Sequence, residues 1–362
     1  MRIASKIAEA YDRAGFHAYH LAEHHSTPLG MAPSPSVFLA AVSERTTRLR
    51  FGPLVWPMPL HHPLRLIEEI CMLDQLSGGR LDIGFGRGAA PIELEYYGVA
   101  PQDAQEIYAE AVELVIKGLT NKVLDFKGRR FSFNGVPMEL EPLQKPHPPI
   151  WYGLHAPESA ERAARRGLNV VSLDPTNEAR LAIERYRAVW RQAHAPASTL
   201  PKLGLGRFIV VAPSDAAALA LARRAYLVWH ASFTHLFRRH GRAQSHPRPA
   251  TFDLLAERGQ GIAGSPATVA EFLARELSAT GCNYLVGQFA FGNLTLEESL
   301  QSIGLFAGEV IPLLRAKAAG AGRLALRPMG AVDIVPSEPA GAWVERDGFG
   351  NSAGGRRRRN VH

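Results

Sequence analysis

Cysteine is almost missing from this chain: 362 residues contain two, Cys71 and Cys282, far apart and without a CxxC pair. That argues against a disulfide framework and against a thiolate zinc site, and a reducing cytoplasm is the expected compartment. No apolar run approaches the roughly 18 residues of a membrane span. The N-terminus also lacks the apolar core of a secretory leader. The chain therefore reads as neither membrane-embedded nor secreted. Aromatic residues make up only 8%, and nowhere do they interleave with basic residues as on a nucleic-acid surface. The net charge of +7 is uneven, because residues 316–362 hold eight Lys/Arg against four Asp/Glu and so carry +4 of it. This tail ends in Arg356-Arg-Arg-Arg359 amid Gly, Ser, Asn and Pro, and reads as a solvated, disordered extension rather than a nucleic-acid arm.

The remainder is ordinary for a globule, 46% apolar and 21% charged. Strand and helix patterns alternate, which argues for α/β architecture with parallel strands. Seven such strands are expected, near residues 20, 52, 83, 151, 171, 207 and 287. Helices are expected over Ser5–Gly15, Pro35–Thr46, Leu64–Leu76, Asp103–Leu119, Ala179–Ala193, Asp215–His240, Pro266–Ala279 and Leu296–Leu314. Residues 126–148 read as an excursion of short strands and proline-rich turns. A (β/α)8 barrel wants one strand more, and the gap falls at the start, where the chain opens directly into a helix. The tail segments Leu324–Arg327 and Val332–Val335 are weak candidates to fill it.

Several segments could carry chemistry. Arg80-Leu-Asp-Ile-Gly-Phe-Gly-Arg-Gly-Ala89 is a short apolar strand running into a glycine-rich turn with Arg87 at its tip. Glycines let backbone approach an anion, and a guanidinium forks onto its oxygens. Tyr152-Gly-Leu-His-Ala-Pro-Glu-Ser159 pairs a strand end with a helix start at Pro157, where free N–H groups suit a phosphate. Glu23-His24-His25 follows a strand, the end at which barrel enzymes keep their active sites, and an imidazole there can move a proton near neutral pH. His61-His62 lacks the spacing that aims two ligands at one metal, so no metal site is expected. Gly84-x-Gly86-x-x-Ala89 also fits a relaxed dinucleotide fingerprint, but no second strand ends in an acid at the required distance. Trp229, Phe233, Leu236 and Phe237 form an apolar helical stripe, ordinarily core, part of which could line an apolar pocket.

In order and spacing, Glu23-His24-His25, Pro59-Leu-His-His-Pro63, Met72-Leu-Asp-Gln-Leu-Ser-Gly-Gly79, the Arg87 turn, Leu285-Val-Gly-Gln-Phe-Ala-Phe-Gly292 and Leu296-Glu-Glu-Ser-Leu300 resemble the bacterial luciferase-like flavin monooxygenases. The resemblance spans residues 1–315, leaving 316–362 as tail. It implies a TIM (β/α)8-type barrel, here lacking the family's first strand. It also implies reduced FMN as cosubstrate, delivered by a separate NAD(P)H-flavin reductase, and O2 used to oxygenate a small organic substrate. His24 would be the catalytic group beside the flavin. Arg87 would grip the phosphate together with Tyr152, Gly153, His155, Ala156, Glu158 and Ser159. Val55 and Trp56 would support the ring through a non-proline cis peptide placed between them; a cis Trp56–Pro57 bond, or none, is equally open. Two departures stand out. Gly86 replaces the reactive cysteine of luciferase, so light emission does not carry over, and Ala156 removes a hydroxyl donor from the family's Ser-Pro-Glu. An F420-dependent hydride-transfer enzyme and a non-catalytic flavin binder remain alternatives, with a nicotinamide Rossmann enzyme more distant. A homodimer is left open.

Overall fold

A computed structural model describes residues 2–320 except 31, 89, 197 and 245. The remaining tail, with its two strand candidates, lies outside the described residues. Eleven strands follow in chain order: β1 (Ala18–Leu21), β2 (Arg50–Pro53), β3 (Trp56–Pro57), β4 (Ile83–Gly86), β5 (Val123–Lys127), β6 (Ser132–Pro137), β7 (Ile150–Leu154), β8 (Asn169–Ser172), β9 (Leu203–Val211), β10 (Gly261–Gly264) and β11 (Tyr284–Gln288). Among the described residues only β5 and β6 pair antiparallel, forming the hairpin of the expected excursion. Every other pairing is parallel, in the path β10-β9-β8-β7-β4-β3 with β11 on β9 and β1 on β2. The seven expected strands are all present, with helices between them. This is α/β architecture of TIM-barrel type.

Parallel pairing puts the C-terminal ends of these strands on one side, where β1, β4 and β7 deliver the three candidate segments. Helices such as Pro63–Leu76 bury Leu66, Ile67, Ile70 and Cys71 against the strands. β9 is buried along its whole length, whereas β1 and β11 are only half-buried. Among the described residues β1 pairs only with β2 and β11 only with β9, so no ladder joins β1 to β11. The interior carries polar side chains at this level. Arg50 donates through Nε to Asp82 at 2.9 Å, and Trp151 Nε1 donates to the other oxygen of Asp82 at 2.9 Å. His20 sits 5.1 Å from the Trp151 ring with both ring nitrogens buried and unpartnered; burial pushes its pKa down to about 4.

The structure differs from expectation in four places. The strand expected near residue 52 ends at Pro53 and resumes only as the two-residue β3, and the non-proline cis peptide is Leu54–Val55, one bond earlier than expected. β10 was not anticipated: Gly261-Ile-Ala-Gly264 offers little β-propensity, and its strand character comes from pairing with β9. The helix expected over 215–240 divides into Asp215–Phe233 and His235–Arg239 at Thr234, whose hydroxyl donates back to His230 O at 2.8 Å. The last described helix, Ile311–Gly320, runs five residues past the 315 boundary; Ala316 and Ala318 favour helix, and Lys317 pairs with Glu271. Among the described residues no helix is long and apolar enough to cross a membrane.

Candidate active site

The Arg87 corner is built by glycines that let strands touch. A side chain at Gly84 would strike the Pro53 carbonyl and come within 3.3 Å of Leu54 Cα, while one at Gly86 would overlap Val55 Cγ2. Gly88 takes φ +93°, open to glycine but rarely to other residues. Arg87 itself is exposed, with no hydrogen bond or ion pair among the described residues. An unpaired arginine on a glycine corner is a donor without an acceptor.

β4 pairs with β7 in the register Phe85↔Tyr152. The turn after Gly86 and the turn after Gly153 therefore leave the same end of neighbouring strands. A Cβ on Gly153 would touch only His155 Nε2, at 3.8 Å, so backbone there stays open to approach. Helix Pro157–Arg165 begins at this turn. Pro157 has no N–H, and Ser159 and Ala160 both donate to Ala156 O. The Glu158 N–H is thus left without a partner among the described residues.

Three expectations change in detail. Ser159 Oγ donates to Ala156 O at 2.6 Å and accepts from Ala156 N at 3.3 Å, so its hydroxyl proton is engaged within its own turn. The side chain of Tyr152 faces outward, as alternation from inward-facing Trp151 requires; it meets Tyr108 at 6.3 Å beside an outer cavity of about 370 Å³. Trp56 is fully buried in the core, so it and Tyr152 reach a ligand at this end only through backbone. Val55 stays partly accessible against Gly86.

His155 brings in a residue the sequence reading missed. Its ring stacks on His246 at 5.0 Å, and its Nδ1 lies 3.7 Å from Asp174. Burial and the positive charge around it, Arg87 included, hold His246 below its usual value. Burial alone would raise Asp174, but His155 and Arg248 hold it low.

At the end of β1 the Glu23-His24-His25 segment forms a network. Glu23, nearly fully buried, receives His25 Nε2 at 2.7 Å and His61 Nε2 at 3.0 Å. Burial would raise its pKa, yet these two hydrogen bonds outweigh it and hold Glu23 below the usual range. Tyr97 Oη meets His25 Nδ1 at 2.8 Å. Glu93, on the short helix Pro91–Tyr96, accepts from the His25 backbone N–H at 3.2 Å and faces His24 Nδ1 at 3.1 Å. His24 is partly exposed, and its Nε2 has no partner among the described residues. Among those residues no three His, Cys, Asp or Glu side chains are disposed to hold a metal. Glu93 and Tyr97 had no signal in the sequence, because they lie 68 to 72 positions from their histidine partners.

The apolar stripe divides. Leu236 and Phe237 pack on Ile92, one residue before Glu93, and so brace that helix as core. Trp229 and Phe233 stack at 5.1 Å, and Thr27 Oγ1 from the His24 loop donates to Ser232 O beside them.

The luciferase-like monooxygenase family model matches residues 2–283. The chain is 42% identical over 305 residues to Sinorhizobium fredii protein y4wF, covering 84% of this chain and 89% of that one. It is 35% identical over 167 residues to the oxygenase component of the flavin-dependent trigonelline monooxygenase of Acinetobacter baylyi, covering 46% of each. The Streptomyces bottropensis monooxygenase RslO1 superposes with TM-score 0.77 at 26% identity, covering 86% of this chain and 92% of the other. The FMN complex of the oxygenating constituent of 3,6-diketocamphane monooxygenase from Pseudomonas putida gives 0.72 at 22%, with the same coverages. The chain belongs to the luciferase-like monooxygenase family, and its relatives include flavin-dependent monooxygenases.

Proposed function

We propose that this protein is an oxygenase that takes up reduced FMN from a separate reductase and uses O2 to oxygenate a small organic substrate. One observation carries the reading: the Arg87 corner and the 153–159 turn leave adjacent parallel strands at one end, each with a donor that has no partner among the described residues. The donor set fits a phosphate: the Arg87 guanidinium, the Glu158 N–H at a helix start, and the imidazoles of His155 and His246 beside them. A Cβ on Gly153 would meet only His155 Nε2, so the backbone there is open to a ligand's approach.

When bound, reduced flavin supplies the electrons that activate O2. The residues of this chain do the rest. Arg87 and the Glu158 N–H hold the phosphate and fix the cofactor's position. His24, whose Nε2 has no partner among the described residues, gives or takes a proton at the reacting end. Trp229 and Phe233, beside the His24 loop, exclude water over the reacting end. A relative named as an oxygenase component supports the separate reductase.

Oxygen uptake tests the reading. Purified protein supplied with enzymatically reduced FMN is expected to consume O2 in proportion to an added organic substrate and to yield an oxygenated product. Turnover with reduced F420 and no oxygen demand would replace this reading with hydride transfer. Flavin binding with no turnover on any substrate would leave a binding protein.

A further inference from the structure

We infer that Glu93 is a positioning residue that determines which nitrogen of His24 carries the proton; the inference rests on His24 being the proton carrier of the reading above. Glu93 is 6% exposed and holds two partners, one on each carboxylate oxygen. Oε2 faces the backbone N–H of His25 at 3.2 Å, and Oε1 faces His24 Nδ1 at 3.1 Å. A backbone N–H can only donate, so the arm facing His25 must accept. An ionised carboxylate has only acceptor oxygens, so its other arm accepts as well. The proton between them therefore sits on His24 Nδ1. Nε2 keeps its lone pair and, without a partner among the described residues on this partly exposed side chain, is the acceptor.

The neighbouring ionisable groups do not compete for this contact. Glu23 is engaged by His25 and His61, and Tyr97 by His25 Nδ1. When His24 takes a second proton on Nε2, Glu93 faces the resulting cation and stabilises it, as a buried carboxylate does in other histidine–acid pairs. The helix that carries Glu93 starts four residues after Arg87 and is braced by Leu236 and Phe237. The helix bearing Glu93 thus follows directly on the Arg87 turn and meets the proton carrier through Glu93.

The test exploits an asymmetry that Glu93→Gln creates at nearly constant volume. The His25 N–H still demands an acceptor, so the amide oxygen must face His25. Its NH2 then faces His24 Nδ1, which must become an acceptor, and the proton moves to Nε2. Nitrogen-15 spectra of histidine-labelled protein without flavin, at a pH where the imidazoles are neutral, report this directly; His24→Asn identifies the signal. The expected result is an Nδ1–H tautomer in the unaltered protein and an Nε2–H tautomer in Glu93→Gln. An Nε2–H tautomer in the unaltered protein overturns the inference even if the variant does not fold, and one tautomer common to both proteins overturns it as well.

With reduced FMN and O2, Glu93→Gln is expected to lose roughly 100-fold or more in the His24-dependent rate, the scale of positioned proton transfer, at unchanged FMN affinity. A purely structural Glu93 predicts no rate loss for this near-isosteric change and would contradict the inference. A tautomer swap in a protein with no flavin-dependent turnover would uphold Glu93's control of His24 and remove the oxygenase reading instead.

Discussion

Glu23 is a buried carboxylate whose charge is held by two imidazoles. Its folded pKa lies below the ordinary range, so its contribution to stability is fully present above the unfolded value. That contribution is lost as pH falls through the depressed folded value. Urea unfolding midpoints are therefore expected to fall already below about pH 6.5, where the unfolded chain protonates His20 and the fold keeps it neutral, with Glu23 adding its own decline below about pH 4–5. Glu23→Ala should cost about 1–3 kcal/mol at pH 7, the range for losing hydrogen bonds to a buried charged group, and should flatten this lower decline. A variant that kept the full lower decline would assign it to other carboxylates, Asp12 first, which accepts three backbone N–H groups and is likewise held low. At this scale the sequence was half legible. His24 and Arg87 stood out because they sit in short motifs at strand ends. Glu93, Tyr97, His61 as a partner of Glu23, and His246 did not, because their contacts exist only once distant segments are folded together.

The contact between β4 and the β2–β3 segment is what shapes the phosphate corner. Gly84 lies against backbone and Gly86 against a side chain, so alanine at the two positions should differ. Gly84→Ala is expected to lose about 1–3 kcal/mol in urea unfolding, the cost of overpacking, and to weaken FMN binding, because Pro53 and Leu54 must move. Gly86→Ala should cost less stability, since Val55 can rotate, while still disturbing the flavin face. Equal, negligible effects would show that the two strands do not need this close approach. The glycine spacing was readable in the sequence, but its cause was not: the partner of Gly84 is the backbone of another strand. The same limit explains β10, whose residues carry no strand signal until β9 is beside them. It also explains the cis peptide displaced to Leu54–Val55. Element type was legible wherever periodicity was strong, and interruptions such as Thr234 were not.

On the scale of the whole molecule, the alternation of strands and helices in the sequence implies α/β architecture with parallel strands, the family resemblance implies the TIM-type barrel, and the strand count leaves one weak place in it. β1 and β11, each with one strand partner and half-buried, flank the position where the sequence led us to expect another strand. Amide hydrogen exchange should follow this: β7, β8 and β9 the slowest, β1 and β11 faster by local opening. Uniform protection across all of these strands would mean that the β1–β11 boundary is covered. The proposed function depends at this scale on adjacency, because it requires two turns from neighbouring strands to hold one dianion. The most direct test is a spectroscopic titration of FMN against the unaltered protein and Arg87→Ala. Loss of one charge-assisted contact, about 1.5–3 kcal/mol, predicts affinity weaker by roughly 10- to 100-fold in the variant; equal affinity in the two proteins would contradict the account.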